Sequence, residues 1–254
     1  MTDAREALSP RPLPTPISPT GLLVIDKPLG LTSMDVCRRI RRRLVAGGAP
    51  KRVKVGHGGT LDPLATGVLV VLIGKATRLC DVVMRGEKVY RAEVDLSAFT
   101  ATDDREGARV EVAVAAPPTE ADVRGVLAEF VGEIQQRPPA FSAIKVGGRR
   151  AYALARKGDL RELPARSVSI ASITLRRYGW PAAEIEVVCG KGTYIRSLAR
   201  DIGVRLGTGG HLAALRRMRI GNWRIEQALE LEGIAPVLRE NDLLRVEGIG
   251  RERP

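Results

Sequence analysis

Residues 55–69 read Val-Gly-His-Gly-Gly-Thr-Leu-Asp-Pro-Leu-Ala-Thr-Gly-Val-Leu and lead directly into an apolar run that ends at Ile73. Four glycines in this stretch let the backbone turn tightly and let another surface approach closely. Pro63 biases the preceding Asp62 toward extended geometry and keeps it out of a helix. The stretch therefore predicts a carboxylate on a rigid loop that enters a buried strand. An aspartate flanked in this way is also typical of a turn cap, so both roles stay open on local grounds.

The composition indicates a globular protein with a polyanionic partner. Of the 254 residues, 44% are hydrophobic, and 41 Lys and Arg against 29 Asp and Glu give a formal net charge of +12. This excess favours nucleic acid over a membrane surface, because no apolar run approaches the ~20 residues that span a bilayer. Arginine greatly outnumbers lysine and offers planar, bidentate donors to phosphates and base edges. We therefore expect a nucleic-acid partner and no membrane.

The cysteines, histidines and N-terminus narrow the chemistry and the compartment. Cys37, Cys80 and Cys189 are odd in number and far apart, so we expect reduced thiols and not disulfides or metal ligands. With two histidines, no Cys-x-x-Cys and no phosphate-binding or dinucleotide motif, the sequence predicts neither a metal nor a cofactor. Residues 1–20 contain five prolines and no apolar signal-peptide segment, which predicts a disordered tail on a cytoplasmic protein.

The apolar patterns predict an α+β domain over residues 21–232. Strands are expected at Leu22–Ile25, Val68–Ile73, Lys88–Leu96, Arg109–Val114, Ser167–Tyr178, Ala183–Cys189 and Leu215–Ile220. Thr32 or Ser33 is expected to cap one helix, with Val36, Ile40 and Leu44 as its buried stripe. Thr193 can cap another helix. Several strands are hairpin partners, which favours a mixed, mainly antiparallel sheet flanked by helices.

Three segments lie outside this plan. Five arginines, between positions 38 and 43, crowd the first helix, and such a run is usually a solvated face. Residues 135–165 are basic and contain glycine breakers, which predicts a mobile excursion with a short helix over Ala151–Lys157. Its basic residues include Lys145, Arg149 and Arg150. Residues 233–254 are weakly periodic and are expected to form a short extension.

Without a metal or a cofactor, side chains must do any chemistry. Asp62 is the best candidate for a nucleophile or a base. Tyr90 could stack on a base or donate its hydroxyl, or be a half-buried strand tyrosine. Arg196, at a helix start, could pair with Asp62, grip a phosphate, or be an ordinary surface arginine. Lys27 could contact phosphate or only belong to a turn, and His57 could stack on a base or only hydrogen-bond its turn.

The stretch around Asp62 resembles the signature of the bacterial tRNA pseudouridine synthases that modify the T-loop uridine, the TruB family. Further matching motifs stand in order between about Gly21 and Trp223. They are Asp26-Lys27-Pro28-x-Gly30-x-Thr32-Ser33, Lys88-x-Tyr90-Arg91, Thr100-x-Thr102-x-Asp104-x-x-Gly107, Pro138-Pro139-x-Phe141-Ser142-Ala143-Ile144-Lys145 with Gly148 and Tyr152, Lys191-Gly192-Thr193-Tyr194-Ile195-Arg196-Ser197-Leu198, and Gly210-His211-Leu212-x-x-Leu215-Arg216-Arg217. The combination is highly specific, although only the Asp62 stretch would be so by itself.

The resemblance implies the pseudouridine synthase fold with an RNA-gripping insertion, and the isomerisation of uridine to pseudouridine in the tRNA T loop. The N1–C1′ bond breaks and a C5–C1′ bond forms after base flipping, without cofactor or metal. The implied partner is the T-arm stem-loop of tRNA, bound by a monomer with no obligate protein partner.

The resemblance also implies roles for individual residues. Asp62 matches the essential aspartate, Tyr90 the residue that stacks on the flipped base and helps to deprotonate C5, and Arg196 the arginine that pairs with the aspartate. Lys27, Tyr194 and Leu215 match pocket or structural positions of the family. His57 matches a residue that packs against RNA bases during flipping. Lys145, Arg149 and Arg150 belong to the RNA-gripping insertion.

The sequence departs from the family pattern in three places. Gly58 stands where threonine is usual, and Ser97 stands where glycine is usual. The sequence ends about thirty residues after the last motif, and no full C-terminal RNA-binding domain is expected there. Two alternatives stay open: a non-catalytic RNA-binding or RNA-folding protein with the same surface, and a synthase of this superfamily that acts on another RNA or is guided by partner proteins.

Overall fold

One large sheet organises the part of the chain that the computed structural model describes, residues 18–142, 144–146, 149–151 and 163–246. The strands are β1 (Gly21–Lys27), β2 (Val55–His57), β3 (Ala65–Ile73), β4 (Lys88–Asp95), β5 (Ala98–Thr100), β6 (Arg109–Glu111), β7 (Gly132–Gln136), β8 (Lys145–Val146), β9 (Arg149–Arg150), β10 (Arg166–Gly179), β11 (Ala182–Cys189), β12 (His211–Ile220), β13 (Trp223–Arg224) and β14 (Leu229–Glu230). The helices are α1 (Ser33–Ala46), α2 (Cys80–Arg85), α3 (Glu120–Glu129) and α4 (Ile195–Leu206), with 3₁₀ turns at Gly74–Leu79, Ile225–Gln227 and Glu240–Asp242.

The sheet is mixed and mainly antiparallel, which confirms the predicted α+β class. Its strands follow the order β14-β1-β3-β12-β4-β11-β10-β7. In addition, β2 pairs with β3, and β13 pairs with β12. Among the described pairs, β1 with β14 and β3 with β12 are parallel. The parallel step places β12 between β3 and β4, so three strands from distant parts of the chain meet at the centre.

Helix α1 begins as its sequence predicts. Thr32 is the N-cap, and its side chain and that of Asp35 form a reciprocal capping box. Val36, Ile40 and Leu44 are fully buried against β1 and β3. The Ser33 hydroxyl donates to the carbonyl that precedes Asp62, at 3.1 Å, so the helix begins beside the Asp62 loop.

The predicted cap of helix α4 is wrong. This helix begins at Ile195, its N-cap is Tyr194, and no side chain caps it. The Thr193 hydroxyl instead donates to the Gly190 carbonyl at 3.4 Å, because the Gly-Lys-Gly turn closes on itself before the helix starts. The consequence for the site is that Arg196 occupies the first turn of α4 and points into the protein.

The arginines of α1 divide between structural and exposed positions. Arg41 donates to the carbonyls of Val53 and Val55, and Arg43 donates to the Leu231 carbonyl at 2.8 Å. The solvated-face prediction therefore fits only part of the run. The segment after β14 also joins the α1 core through Leu231, Ile234, Leu238 and Leu243, on both sides of the boundary expected at residue 232.

The basic insertion is described only in part. Strands β8 and β9 pair as a short antiparallel hairpin. The side chains of Lys145, Arg149 and Arg150 lie outside the described part of the structure, as do the predicted helix after Ala151 and the N-terminal residues 1–17. None of the described helices is long and apolar enough to cross a membrane.

Candidate active site

A cavity of about 280 Å³ opens where β3, β12 and β4 meet. Leu215 on β12 pairs with Ala65, three residues beyond Asp62, and with Ala92, two residues beyond Tyr90. This register brings together five of the predicted site residues, which come from four separate motifs. They are Asp62, Tyr90, Tyr194, Arg196 and Leu215.

An ion pair joins Asp62 to Arg196 at the cavity. Nη2 of Arg196 lies 3.0 Å from Oδ2 of Asp62. The Asp62 side chain is 39% exposed, whereas that of Arg196 is 7% exposed. The arginine thus arrives from the buried side, and the Asp62 side chain stays partly exposed at the cavity.

A second carboxylate holds Arg196 from behind. Nη1 donates to Asp104 at 3.2 Å, and Nη2 donates to the Phe141 carbonyl at 2.9 Å. Asp104 also accepts from the Thr102 hydroxyl at 2.6 Å and from the Glu106 amide at 3.0 Å. Sequence reasoning included Asp104 in the polar-loop motif but gave it no role. Its signal was the Thr-x-Asp spacing, which is typical of a side chain bonded within its own turn.

Tyr90 lines the cavity from strand β4. Its side chain is buried, and burial raises the pKa of the phenol while the nearby Arg217 guanidinium opposes that rise. Tyr90 directly faces Arg217 across the β4–β12 ladder. The phenol therefore lies beside a cation that the sequence interpretation did not assign.

Two buried lysines border the site in different ways. The Lys27 ammonium donates to the carbonyls of Pro28 at 2.9 Å and Leu31 at 2.6 Å, and burial lowers its pKa to about 8. Its side chain is wholly buried, which fits the turn role and opposes a direct phosphate contact. Lys88, which sequence reasoning missed, lines the cavity, and burial likewise lowers its pKa to about 8. Its place two residues before Tyr90 on an alternating strand was the available signal.

His57 lies on the other side of the Asp62 loop. It lines a second cavity, of about 440 Å³, whose walls also include Met34, Asp62, Phe141 and Arg196. Burial lowers the pKa of the imidazole, and Nδ1 has no hydrogen-bond partner among the described residues. A neutral ring bordering an open cavity suits contact with a base, which remains a prediction.

Tyr194 is fixed through its backbone. Its amide donates to the Gln136 side chain at 2.8 Å, and its carbonyl accepts from the same side chain at 3.1 Å. The Arg166 guanidinium lies 5.1 Å from the centre of the Tyr194 ring, within the range of a cation–π contact. The ring therefore reaches the cavity from a rigid position.

Packing explains why glycine stands at positions 58 and 67, in the Asp62 loop and in the strand that follows it. A Cβ at Gly58 would lie 2.3 Å from Cγ1 of Val83, so α2 occupies the space that a threonine would need. Gly67 has φ near +100°, and a Cβ there would lie 2.2 Å from the Arg217 carbonyl.

Ser97, the other residue that departs from the family pattern, takes part in a hydrogen-bond network. Its hydroxyl donates to Asp95 at 2.6 Å and accepts from Arg109 at 2.8 Å.

No group of three or more potential metal ligands occurs among the described residues. The site brings together a partly exposed carboxylate, a buried phenol and a held guanidinium. Such a set can attack or deprotonate a sugar and move a proton on a base.

The chain matches two domains of one family. Residues 43–195 match the TruB family pseudouridylate synthase N-terminal domain, and residues 196–245 match the tRNA pseudouridylate synthase B C-terminal domain. The tRNA pseudouridine synthase B of Leifsonia xyli subsp. xyli (strain CTCB07) is 48% identical over 224 residues, which are 85% of this chain and 72% of that protein. That of Xanthomonas axonopodis pv. citri (strain 306) is 43% identical over 218 residues, which are 86% of this chain and 69% of that protein.

Solved structures share the fold. In the crystal structure of a Cbf5-Nop10-Gar1 complex, one chain superposes with a TM-score of 0.63 at 32% identity. The match covers 84% of this chain and 52% of that chain, so this protein spans about half its length.

Fold and site together define a pseudouridine synthase, an isomerase of uridine in RNA. More particularly, the chain belongs to the TruB family of pseudouridylate synthases. Its reaction is the conversion of uridine to pseudouridine in tRNA. The predicted family and enzyme class are confirmed.

Proposed function

We propose that this enzyme modifies the T-loop uridine of tRNA, by base flipping and with Asp62 as the reacting carboxylate. The observation that carries the proposal is the half-exposed Asp62 carboxylate, held by a buried arginine at the mouth of a small cavity. A cavity of this size admits one base and not a stacked helix, so the target nucleotide must leave its stack. Tyr90 and Tyr194 then border the uracil.

Each of the three site residues has a separate part in the proposed reaction. Asp62 either attacks C1′ or removes the proton from C2′, and the N1–C1′ electron pair leaves with the uracil in both routes. The released uracil anion turns within the cavity, and its C5 electron pair forms the new bond to C1′. In the first route this attack breaks the bond between Asp62 and C1′ and frees the carboxylate, and in the second route Asp62 returns its proton to C2′. Tyr90 accepts the C5 proton, the electron pair of the C5–H bond restores the C5–C6 double bond, and N1 takes up a proton. Arg196 orients Asp62 throughout.

The test is a position map of pseudouridine in an unmodified tRNA transcript that has been incubated with the purified enzyme. We expect one new pseudouridine, in the T loop, and the same product from an isolated T-arm hairpin. Modification at another position, with an unmodified T loop, would contradict the proposal.

Basic side chains outside the cavity are proposed to hold the tRNA phosphates. Arg52, Lys54 and Arg78 line a groove of about 930 Å³ at the far end of β3. The nine residues of β3 separate this end from the Asp62 loop, a distance of about 25–30 Å. That distance suits the body of a tRNA whose T loop occupies the cavity.

Salt dependence tests this surface. We expect the triple change of Arg52, Lys54 and Arg78 to Gln to weaken binding of full tRNA and flatten its salt dependence, by up to about one unit of slope for each phosphate that is no longer neutralised. Binding of the T-arm hairpin should change much less. The matched control changes Arg91, Arg176 and Arg177 to Gln, since these arginines already pair with glutamates. Equal slopes in both variants would place the phosphates elsewhere.

The basic insertion receives the same test. Changing Arg149 and Arg150 to Glu should weaken binding of the T-arm hairpin itself and flatten its salt dependence. An unchanged slope would show that these two side chains do not touch phosphate.

A second candidate is a synthase that acts on other RNAs or with guiding partners. The observation in its favour is the likeness to Cbf5, which was solved in complex with Nop10 and Gar1. A mass map of pseudouridines in a deletion strain separates the two, because the first predicts loss only from tRNA T loops. We also propose that the enzyme works as a monomer in the cytoplasm. The unpaired cysteines support the reducing compartment.

A further inference from the structure

Arg217 is a buried charge to which the proposed reaction assigns no role. Its side chain is 1% exposed, although it borders the catalytic cavity. No carboxylate lies within ion-pair distance of it among the described residues. Burying an unpaired charge costs free energy of folding, so other interactions must compensate for the burial of this guanidinium.

Its hydrogen bonds reach both sides of the site. Nε donates to the Val68 carbonyl at 2.7 Å, and Nη2 donates to the Gly59 carbonyl at 3.1 Å. Val68 belongs to β3, and Gly59 belongs to the loop that carries Asp62. The guanidinium therefore connects the Asp62 loop to the central sheet by hydrogen bonds.

Its third neighbour is Tyr90. Arg217 and Tyr90 are direct partners across the β12–β4 ladder, and both line the same cavity. The same positive charge adds to burial in lowering the pKa of Lys27, His57 and Lys88, and it opposes the rise that burial causes in the pKa of Tyr90. Negative charge on the Tyr90 oxygen therefore has a buried cation beside it.

We propose that Arg217 is a positioning residue for the isomerisation, which holds the Tyr90 oxygen in place and stabilises it as the phenolate that takes the C5 proton. This inference rests on the proposed role of Tyr90. In that step the C5–H bond breaks, the new O–H bond forms on Tyr90, and the electron pair stays in the uracil ring. Arg217 acts through Tyr90.

The test compares pH profiles of the full-length variant Arg217→Gln and the wild type on a T-arm hairpin. We expect kcat to fall on the order of 100-fold near neutral pH, with little change in KM. We also expect the ascending limb of kcat to move to higher pH, because the phenol of Tyr90 then ionises later. Arg217→Lys, which keeps the charge, should recover part of the rate.

Two further measurements separate positioning from mere stabilisation. In a Tyr90→Phe background, Arg217→Gln should cause little additional loss, because both changes remove one function. Arg219→Gln, on the same strand but bonded to Glu87 at the surface, is the matched control and should leave the profile in place. If Arg217→Gln folds poorly, the NMR titration of Tyr90 in Arg217→Lys replaces it, and should show ionisation at a pH different from wild type.

A parallel fall of the whole profile, with full additivity to Tyr90→Phe, would overturn this inference. Wild-type T-loop activity would then still stand, so the proposed function would survive. A wild-type enzyme that leaves the T-loop uridine unmodified would instead contradict the proposed function. That outcome does not depend on the role of Arg217.

Discussion

Two loops present an aspartate to the same arginine, and the two aspartates differ in every other respect. Asp62, in the loop between β2 and β3, has one ion-pair partner among the described residues and is 39% exposed. Asp104, in the loop between β5 and β6, is 3% exposed and also accepts from Thr102 and Glu106. The residue type and the cation are shared, so the difference lies in what else each carboxylate is bonded to.

The comparison shows how one guanidinium serves two purposes. A carboxylate whose oxygens are all bonded is an anchor, because any movement breaks several charge-assisted hydrogen bonds. A carboxylate with one partner keeps free lone pairs for a substrate. Asp104 therefore fixes Arg196, and Arg196 fixes Asp62 while leaving it partly exposed, as the proposed reaction requires.

The largest expected effect comes from Asp62→Asn. Activity should fall by roughly four orders of magnitude or more, because the reacting group is lost. Stability and tRNA affinity should stay near wild type, because this side chain is half-exposed and has one partner. The measurements are thermal unfolding, tRNA binding and pseudouridine content in a complemented deletion strain. Normal pseudouridine content would place the reacting carboxylate elsewhere.

Asp104→Asn should affect both activity and stability. The variant breaks a buried ion pair, which costs on the order of 3 kcal/mol of unfolding free energy. Activity of the folded fraction should fall on the order of 100-fold, since Arg196 would no longer be held in line with Asp62. Denaturant unfolding and single-turnover kinetics measure the two effects. If Asp104→Asn were as stable as Asp62→Asn, the assigned difference between the two loops would be wrong.

Gly58→Thr tests whether packing makes the Asp62 loop rigid. The added side chain collides with Val83, so we expect a loss of about 1–3 kcal/mol from overpacking. The paired change Gly58→Thr with Val83→Ala should recover part of that loss. Thermal unfolding of both variants, with Val83→Ala as the control, measures the coupling. Simple additivity of the two changes would show that they do not share this space.

Thr102→Val should have the smallest effect. It removes one of the donors to Asp104 and leaves the others, at a cost of about 1–2 kcal/mol. We expect a loss of activity of only a few-fold, measured by single-turnover kinetics, because Arg196 keeps its bond to Asp104. A loss as large as that of Asp104→Asn would mean that Thr102 itself orients the arginine.

Much of the fold and part of the site could be predicted from the sequence. Alternation predicted β4, β10 and β11, and the capping residues predicted the start of α1, because local patterns carry this information. The pairing of Asp62 with Arg196 entered as one of several alternatives. The structure places these two groups 3.0 Å apart.

Other features depend on contacts between distant residues. The bond from Arg196 to Asp104 and the bonds from Arg217 to Val68 and Gly59 join residues more than fifty positions apart, and no local pattern reveals them. Lys27 had a phosphate contact as one alternative, but only the folded structure shows that two carbonyls already hold its ammonium. Gly58 was only a departure from the family pattern, whereas the structure shows Val83 in the space that a larger side chain would need.

The most direct test of Asp62 as the reacting carboxylate is the release of tritium from a T-arm hairpin that carries 5-³H-uridine at the T-loop position alone. Pseudouridine formation exchanges the C5 hydrogen, so each turnover releases the label. The wild type should release it to completion, and Asp62→Asn, at equal folded concentration and equal hairpin occupancy, should release none above background. Release by Asp62→Asn at the wild-type rate would contradict the assignment.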